Sequence, residues 1–316
     1  MIMPRNHRTL PHVPHVPSDC RTCPVRARTL CRAIAADDLG VLERFKTMDR
    51  VVPAGTCLYQ PGDAANEVLN LLDGWVMVWR LLRNGRRQII RFALPGDVLA
   101  YRHDPTAPLA EGASCLTDVA VCVFPRRPLP ALLAARPEML ARLAELQAAM
   151  LDDAERALTN VGARTAHARL AFLLVELALR ARRAFPATPP DAVRLPLTQE
   201  HLGDALGYSA VHISKLMHRL RMQRLVRVGS GWLDVVGVGG LAALADVDGM
   251  ADITGVADGE AVAVSDDAAW PTGAAPAGTP ALQVLRPRFG FATGEGRRGF
   301  DTAGAGRFRG RFKAGS

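Results

Sequence analysis

TQEHLGDALGYSAVHISKLMHRL, Thr198 to Leu220, carries two short helical patterns on either side of a glycine. Thr198 is an N-cap candidate, able to take a backbone N–H that the first turn leaves free, and Gln199 and Glu200 suit the positive helix end. Leu202, Ala205 and Leu206 give this helix an apolar face, and Gly207 stands where the chain must turn sharply. Ser209 caps the second helix. Ile213, Leu216, Met217 and Leu220 recur at steps of one, three and four and form its inner face. Val211, His212, Ser214, Lys215, His218 and Arg219 are left outward or sideways. Two short helices about a glycine predict a helix-turn-helix, whose second helix enters the major groove of double-stranded DNA. Lys215, Arg219, Arg221, Arg224 and Arg227 follow without an intervening acid, and Leu225 to Val236 about Gly229-Ser230-Gly231 reads as a small hairpin, the wing of a winged helix. The expected DNA contacts are Ser209, Val211, His212, Ser214, Lys215 and Arg219.

Outward from this segment, 316 residues suggest about two domains at roughly 100–200 residues each. A net charge of +8 and a pI near 9.7 fit a polyanionic partner, although an anionic membrane surface would attract the same field. No apolar run approaches the ~18 residues of a membrane span, so a soluble cytoplasmic protein with no membrane partner is expected. Of six cysteines, Cys20, Cys23 and Cys31 crowd together while Cys57, Cys115 and Cys122 are scattered, a pattern of metal or redox groups rather than a disulfide framework.

Residues 1–18, with four prolines and three histidines, read as a disordered arm, and 19–136 as the cysteine loop plus a sensor domain. From Val51 to Pro125 short Val-, Ile-, Leu- and Trp-rich runs alternate with Pro61-Gly62-Asp63, Asp73-Gly74, Asn84-Gly85 and Pro95-Gly96-Asp97. Turn signals at that spacing predict an antiparallel β-barrel, with Trp75 and Trp79 in its wall or core. A long helix is expected over 137–163. Its apolar residues Leu140, Leu143, Met150, Leu151, Ala154, Leu158 and Val161 suit pairing with a second copy, and packing onto its own barrel is the alternative. Asp152 and Asp153 beside that stripe would repel their counterparts in a dimer. The winged-helix domain is read as 164–242. Residues 243–316 lose periodicity, pass from an acidic to an Arg-rich half and read as a disordered tail.

This order of parts resembles the CRP/FNR superfamily of bacterial transcription regulators over roughly residues 18–240. Cys20, Cys23 and Cys31 together with Cys122, in the segment CLTDVAVCVFP from Cys115, resemble the FNR branch. The resemblance implies that Cys20, Cys23, Cys31 and Cys122 hold an oxygen-labile 4Fe-4S cluster, with Cys115 as a less fitting substitute for the fourth. It implies a homodimer paired through the long helix, and RNA polymerase as a further partner. Thiolates are the usual ligands of such iron, and a zinc site of the three loop cysteines with His12 or His15 competes, as does a site that binds nothing. The chain also departs from the family. The gap between the second and third cysteines is wider than in the best-known FNR form. The recognition pattern of Glu, Ser and Arg appears here as Val211, Ser214 and Lys215. Cyclic-AMP receptors carry a Gly-Glu and an Arg for the phosphate, where this chain has Gly96-Asp97 and Ala110-Glu111-Gly112-Ala113, so no cyclic nucleotide is expected.

The α+β architecture expected is thus an antiparallel barrel, a long dimerisation helix and a winged helix-turn-helix. The expected function is sequence-specific DNA binding governed by oxygen or redox state through cluster-dependent dimerisation. No nucleophile-base constellation or phosphate-cradling loop suggests an enzyme. The alternative is a family member without a cluster, ligand-independent or sensing a small molecule in the barrel.

Overall fold

The computed structural model describes residues 14, 16–17, 19–102, 104, 106–186 and 192–247. The expected arm over 1–18 and tail over 243–316 fall almost wholly outside these residues, as do His12 and His15. Described elements begin with two 3-10 turns, Arg26–Arg28 and Leu30–Ala33, and helix α1, Gly40–Phe45. Eight strands follow: β1 Met48–Val52, β2 Cys57–Tyr59, β3 Glu67–Asp73, β4 Val76–Leu81, β5 Arg87–Ala93, β6 Val98–Leu99, β7 Gly112–Cys115 and β8 Val119–Pro125. They form two antiparallel four-stranded sheets, ordered β1-β8-β3-β6 and β2-β7-β4-β5. Between them Leu69, Leu71, Val76, Val78, Val119, Val121 and Val123 make the barrel core, one face of each strand as the two-residue period requires.

Asn84-Gly85 does turn β4 into β5, with Gly85 in the left-handed region at φ 77°. Trp75 sits outside the barrel core. It is buried on the barrel's outer face and stacks on Phe185 with ring centroids 6.4 Å apart.

Helices α2, Leu129–Ala135, and α3, Pro137–Ala163, lead away from the barrel, and α4, Ala166–Ala184, returns toward it, with Thr165 accepting the Ala168 N–H as its cap. The reading head is α5, Gln199–Leu206, and α6, Ala210–Met222. Thr198 caps α5 in a reciprocal box with His201, whose Nδ1 accepts the Thr198 N–H at 3.3 Å. Gly207 ends α5 in the left-handed region at φ 74°, and a Cβ on Gly203 would stand 2.7 Å from the Tyr208 carbonyl oxygen. The two glycines therefore set the sharp angle between the helices. The wing is β10, Val226–Gly229, against β11, Trp232–Val235, extended by β9, Val193–Leu195. Helix α7, Val238–Leu244, closes the domain against α4, two residues beyond the boundary read from sequence, and Ala245 after it is buried.

Candidate cysteine pocket and nucleic-acid interface

Strand β8 sorts the cysteines by side-chain parity. Val119, Val121 and Val123 enter the barrel core, so Ala120, Cys122 and Phe124 face outward and pack against Val25, Leu72 and Phe45. Cys115 lies in the barrel core and does not line a cavity with the loop cysteines, and Cys57 is exposed on β2. Cys20, Cys23, Cys31 and Cys122 line one small cavity of about 20 Å³, together with Lys46, Asp49 and Asn70.

The sequence had not singled out those last three. Asp49 on β1 and Asn70 on β3 are the cross-strand neighbours of Cys122 on either side. Lys46 Nζ lies 2.7 Å from Asp49 Oδ2, and the Asn70 amide donates to Cys31 Sγ at 3.8 Å. A polar residue between Leu69 and Leu71, in a strand whose outer face is otherwise Val68 and Leu72, was the available signal.

Burial raises all four thiols. Cys31 is pushed up to about 11, the Thr29 hydroxyl opposing, and Cys122 is raised further with Asp49 adding to the effect. Desolvation also lifts Cys20 and Cys23. The four are therefore neutral as they stand. Among the described residues no three Cys, His, Asp or Glu side chains are close enough to share a metal ion. Four cysteines around one cavity are donors of the type that iron-sulfur or zinc centres use, though not at ligating distance here. The cavity itself has room for about one water, so the loop over 19–34, built of bends and 3-10 turns, must shift to seat a larger group.

That loop is tied to two helices. Arg142 on α3 donates to the carbonyls of Arg28 at 3.2 Å and Thr29 at 3.5 Å. Arg28 itself donates to the Arg183 carbonyl at the end of α4, 2.9 Å away.

The long helix carries two apolar faces. Leu143 is buried in its own chain beside Leu39, Leu42 and Met139, whereas Met150 is 40% exposed and, with Gln147, Ala154 and Val161, borders a groove against β5 and α4. Leu140, Ala144, Gln147, Leu151, Ala154, Leu158 and Val161 are exposed at alternating steps of four and three, with Leu158 73% exposed. That is a two-per-heptad seam with a glutamine inside it. Asp153 is exposed and pairs with Arg156, and Asp152 is exposed beside it.

On α6, Ile213, Leu216, Met217 and Leu220 are buried, and Val211, His212, Ser214, Lys215, His218 and Arg219 are exposed. Ser209 is exposed and caps the helix by accepting the His212 N–H, and the His212 ring packs on Tyr208 with centroids 4.8 Å apart. No carboxylate pairs with Lys215 or Arg219 among the described residues. Arg194 stacks over Trp232 at 4.1 Å and bonds Asp234, fixing the wing, while Arg227 stays largely exposed. His167 at the start of α4 has a buried Nε2 without a partner, and burial together with Arg219 lowers its pKa.

Residues 49–136 match the cyclic nucleotide-binding domain family and 168–244 the Crp-like helix-turn-helix domain family. The chain is 29% identical to the transcriptional activator protein FnrL of Cereibacter sphaeroides, over 69% of this chain and 88% of that protein. It is also 29% identical to the nitrogen fixation regulation protein FixK of Bradyrhizobium diazoefficiens, over 72% and 93%. Among solved structures, FixK2 of Bradyrhizobium japonicum superposes with a TM-score of 0.55 at 25% identity, over 63% of this chain and 96% of that one. No helix of the described residues is long and apolar enough to cross a membrane.

Proposed function

We propose, for a chain that belongs to the CRP/FNR family of transcription regulators, that Cys20, Cys23, Cys31 and Cys122 bind an iron-sulfur cluster through which oxygen governs DNA binding. The family binds DNA and is generally dimeric. The observation that carries the finer reading is that the three loop cysteines and only one of the two candidate strand cysteines line the same cavity. Thiolates from this set would hold iron, and a bound 4Fe-4S cluster would supply a redox-active centre destroyed by oxygen.

The chain's own residues then have distinct tasks. Arg142 joins the cysteine loop to the first turns of α3, so a loop drawn toward Cys122 reaches the seam helix directly. The seam from Leu140 to Val161 pairs two protomers, and a bias of only ~3 kcal/mol moves such an equilibrium about 150-fold. Dimerisation presents two copies of α6 to adjacent major grooves. Val211 offers an apolar contact for a thymine methyl where the family's pattern has a carboxylate, Ser214 and Lys215 reach base edges, and Arg219 faces phosphate. FnrL and its kin being named activators, we read this protein as a cytoplasmic activator that touches RNA polymerase and catalyses nothing.

The test is purification without oxygen followed by iron and sulfide assay, visible absorption and operator binding before and after air. Brown, dimeric, tightly binding protein that becomes colourless and monomeric is expected. Cys→Ala at position 20, 23, 31 or 122 should mimic air, and Cys57→Ala should not. Iron-free protein, or equal DNA binding before and after air, would leave a family member without a cluster.

A further inference from the structure

We infer that Asn70 is a positioning residue for the metal-binding sulfur of Cys31, which it orients by an N–H···S hydrogen bond. The inference rests on the reading that the four cysteines take a metal centre, and it assigns a task to a residue that reading does not use.

Asn70 is 5% exposed, on the outer face of β3 beneath the cysteine loop. Its neighbours along that face are Val68 and Leu72, and it lines one apolar cavity with Leu30, Leu42, Phe45 and Phe124 as well as the cysteine cavity with Lys46 and Asp49. An amide in such surroundings costs free energy unless it is hydrogen-bonded, and a leucine of similar volume would continue the apolar row without that cost. The amide nitrogen points at Cys31 Sγ, 3.8 Å away. Its strand register sets it directly opposite Cys122, so the residue that bonds a loop cysteine stands on the sheet beside the strand cysteine. A neutral thiol is a weak acceptor, whereas a ligated, anionic sulfur is a strong one. The bond therefore gains most of its strength when Cys31 binds metal. Lys46 lines the same cavity with its ammonium held by Asp49, and the Thr29 hydroxyl also acts on Cys31 from the loop itself, so among the described residues Asn70 is the side-chain donor that comes to this sulfur from the barrel.

Hydrogen bonds from outside the ligand shell typically change metal affinity 10- to 100-fold, and those to cluster sulfurs shift the reduction potential. The experiment is Co(II) titration of the full-length, reduced, iron-free chain, read by the sulfur-to-cobalt absorption band. Asn70→Leu should bind cobalt about 10- to 100-fold more weakly with an unchanged melting transition. Asn70→Asp, without the donor and with an added charge, should bind more weakly still. Asn70→Gln keeps the amide and guards against a folding artefact, so it must bind better than Asn70→Asp. In protein carrying a cluster, Asn70→Leu should make the midpoint potential more negative. Equal cobalt affinity in wild type and Asn70→Leu, a Gln variant no better than Asp, or no cobalt binding by the wild type would overturn the inference. Asn70-dependent cobalt binding in a chain that assembles no iron-sulfur cluster would sink the oxygen-sensor reading alone. A cluster assembled alongside unaltered cobalt affinity would sink the Asn70 inference alone.

Discussion

Lys215 and Arg219 lie one turn apart on the exposed face of α6, and their loss should be felt differently. Lys215 follows Ser214 on the face directed to base edges, so Lys215→Ala should cost about 1–3 kcal/mol on an operator and much less on random DNA. Arg219, further from the helix start, should weaken both alike and flatten the salt dependence by about one counterion. Binding isotherms at several salt concentrations separate the two, and equal losses for Lys215→Ala on both DNAs would remove it from base readout. His167 behaves as a pH-dependent liability. Its pKa is held below the ordinary value of about 6.5, so the unfolded chain takes its proton first as pH falls. Stability from this residue is complete above pH 6.5 and is lost as pH drops through the folded pKa. Melting curves of wild type and His167→Gln should therefore diverge only in that acid window, and a constant offset at every pH would contradict the assignment. Single residues were also where the sequence was easiest to misjudge. Asn70 looks like any polar residue until the two-residue period of β3 turns it toward the cysteines.

The long helix shows what periodicity can and cannot tell at the scale of an element. Its length and apolar steps were legible, yet Leu143 and Leu140 look alike in the sequence although one meets the chain's own core and the other solvent. A helix with two apolar faces needs its neighbours before either face can be assigned. The helix-turn-helix was readable almost to the residue, because caps, glycine turn and apolar steps all agree. Helix α7 was not, since Gly239, Gly240 and Gly237 argue locally against helix and only packing on α4 overrides them. Strand parity in VAVCVFP already separated Cys122 from the valines, a distinction the sequence contained but that needed the sheet to say which face was inside. Gln147 stands within the exposed seam, and a polar residue at such a position fixes register at a cost in dimer stability. Gln147→Leu should tighten the metal-free dimer about tenfold or more, the equivalent of ~1.4 kcal/mol. Leu158→Ala should do the reverse without lowering the monomer's melting temperature, because its side chain touches little within the chain. Sedimentation equilibrium reads both, and an unchanged association constant in the two variants would place the dimer contact elsewhere.

Barrel and DNA-binding domain share one core within a single protomer. Trp75 just before β4, with Met77, Ile89 and Phe92 on the outer face of β4 and β5, packs with Leu170, Leu177 and their neighbours on α4. Polar contacts brace the same joint: Arg87 meets Asp204 at 2.7 Å, Gln88 donates to the Ala205 carbonyl at 3.0 Å, and Arg180 meets Asp97 at 2.9 Å. The cysteine loop enters this joint through Arg28, whose guanidinium takes an end carbonyl of α4 that the helix leaves free. Arg28 lies between Cys23 and Cys31, so a rearrangement of either cysteine moves it. A positive charge there also favours the negative helix end. Arg28→Ala is expected to speed amide exchange over residues 181–185, by about tenfold for each ~1.4 kcal/mol of local stability lost. Dimerisation should be unaffected, because Arg142 holds the backbone carbonyl of residue 28, which alanine keeps. Exchange mass spectrometry and sedimentation on the same variant test both halves. Unchanged exchange at the end of α4 would mean that the cysteine loop reaches the DNA-binding domain only through α3, whereas faster exchange with an intact dimer would establish a second path inside each protomer.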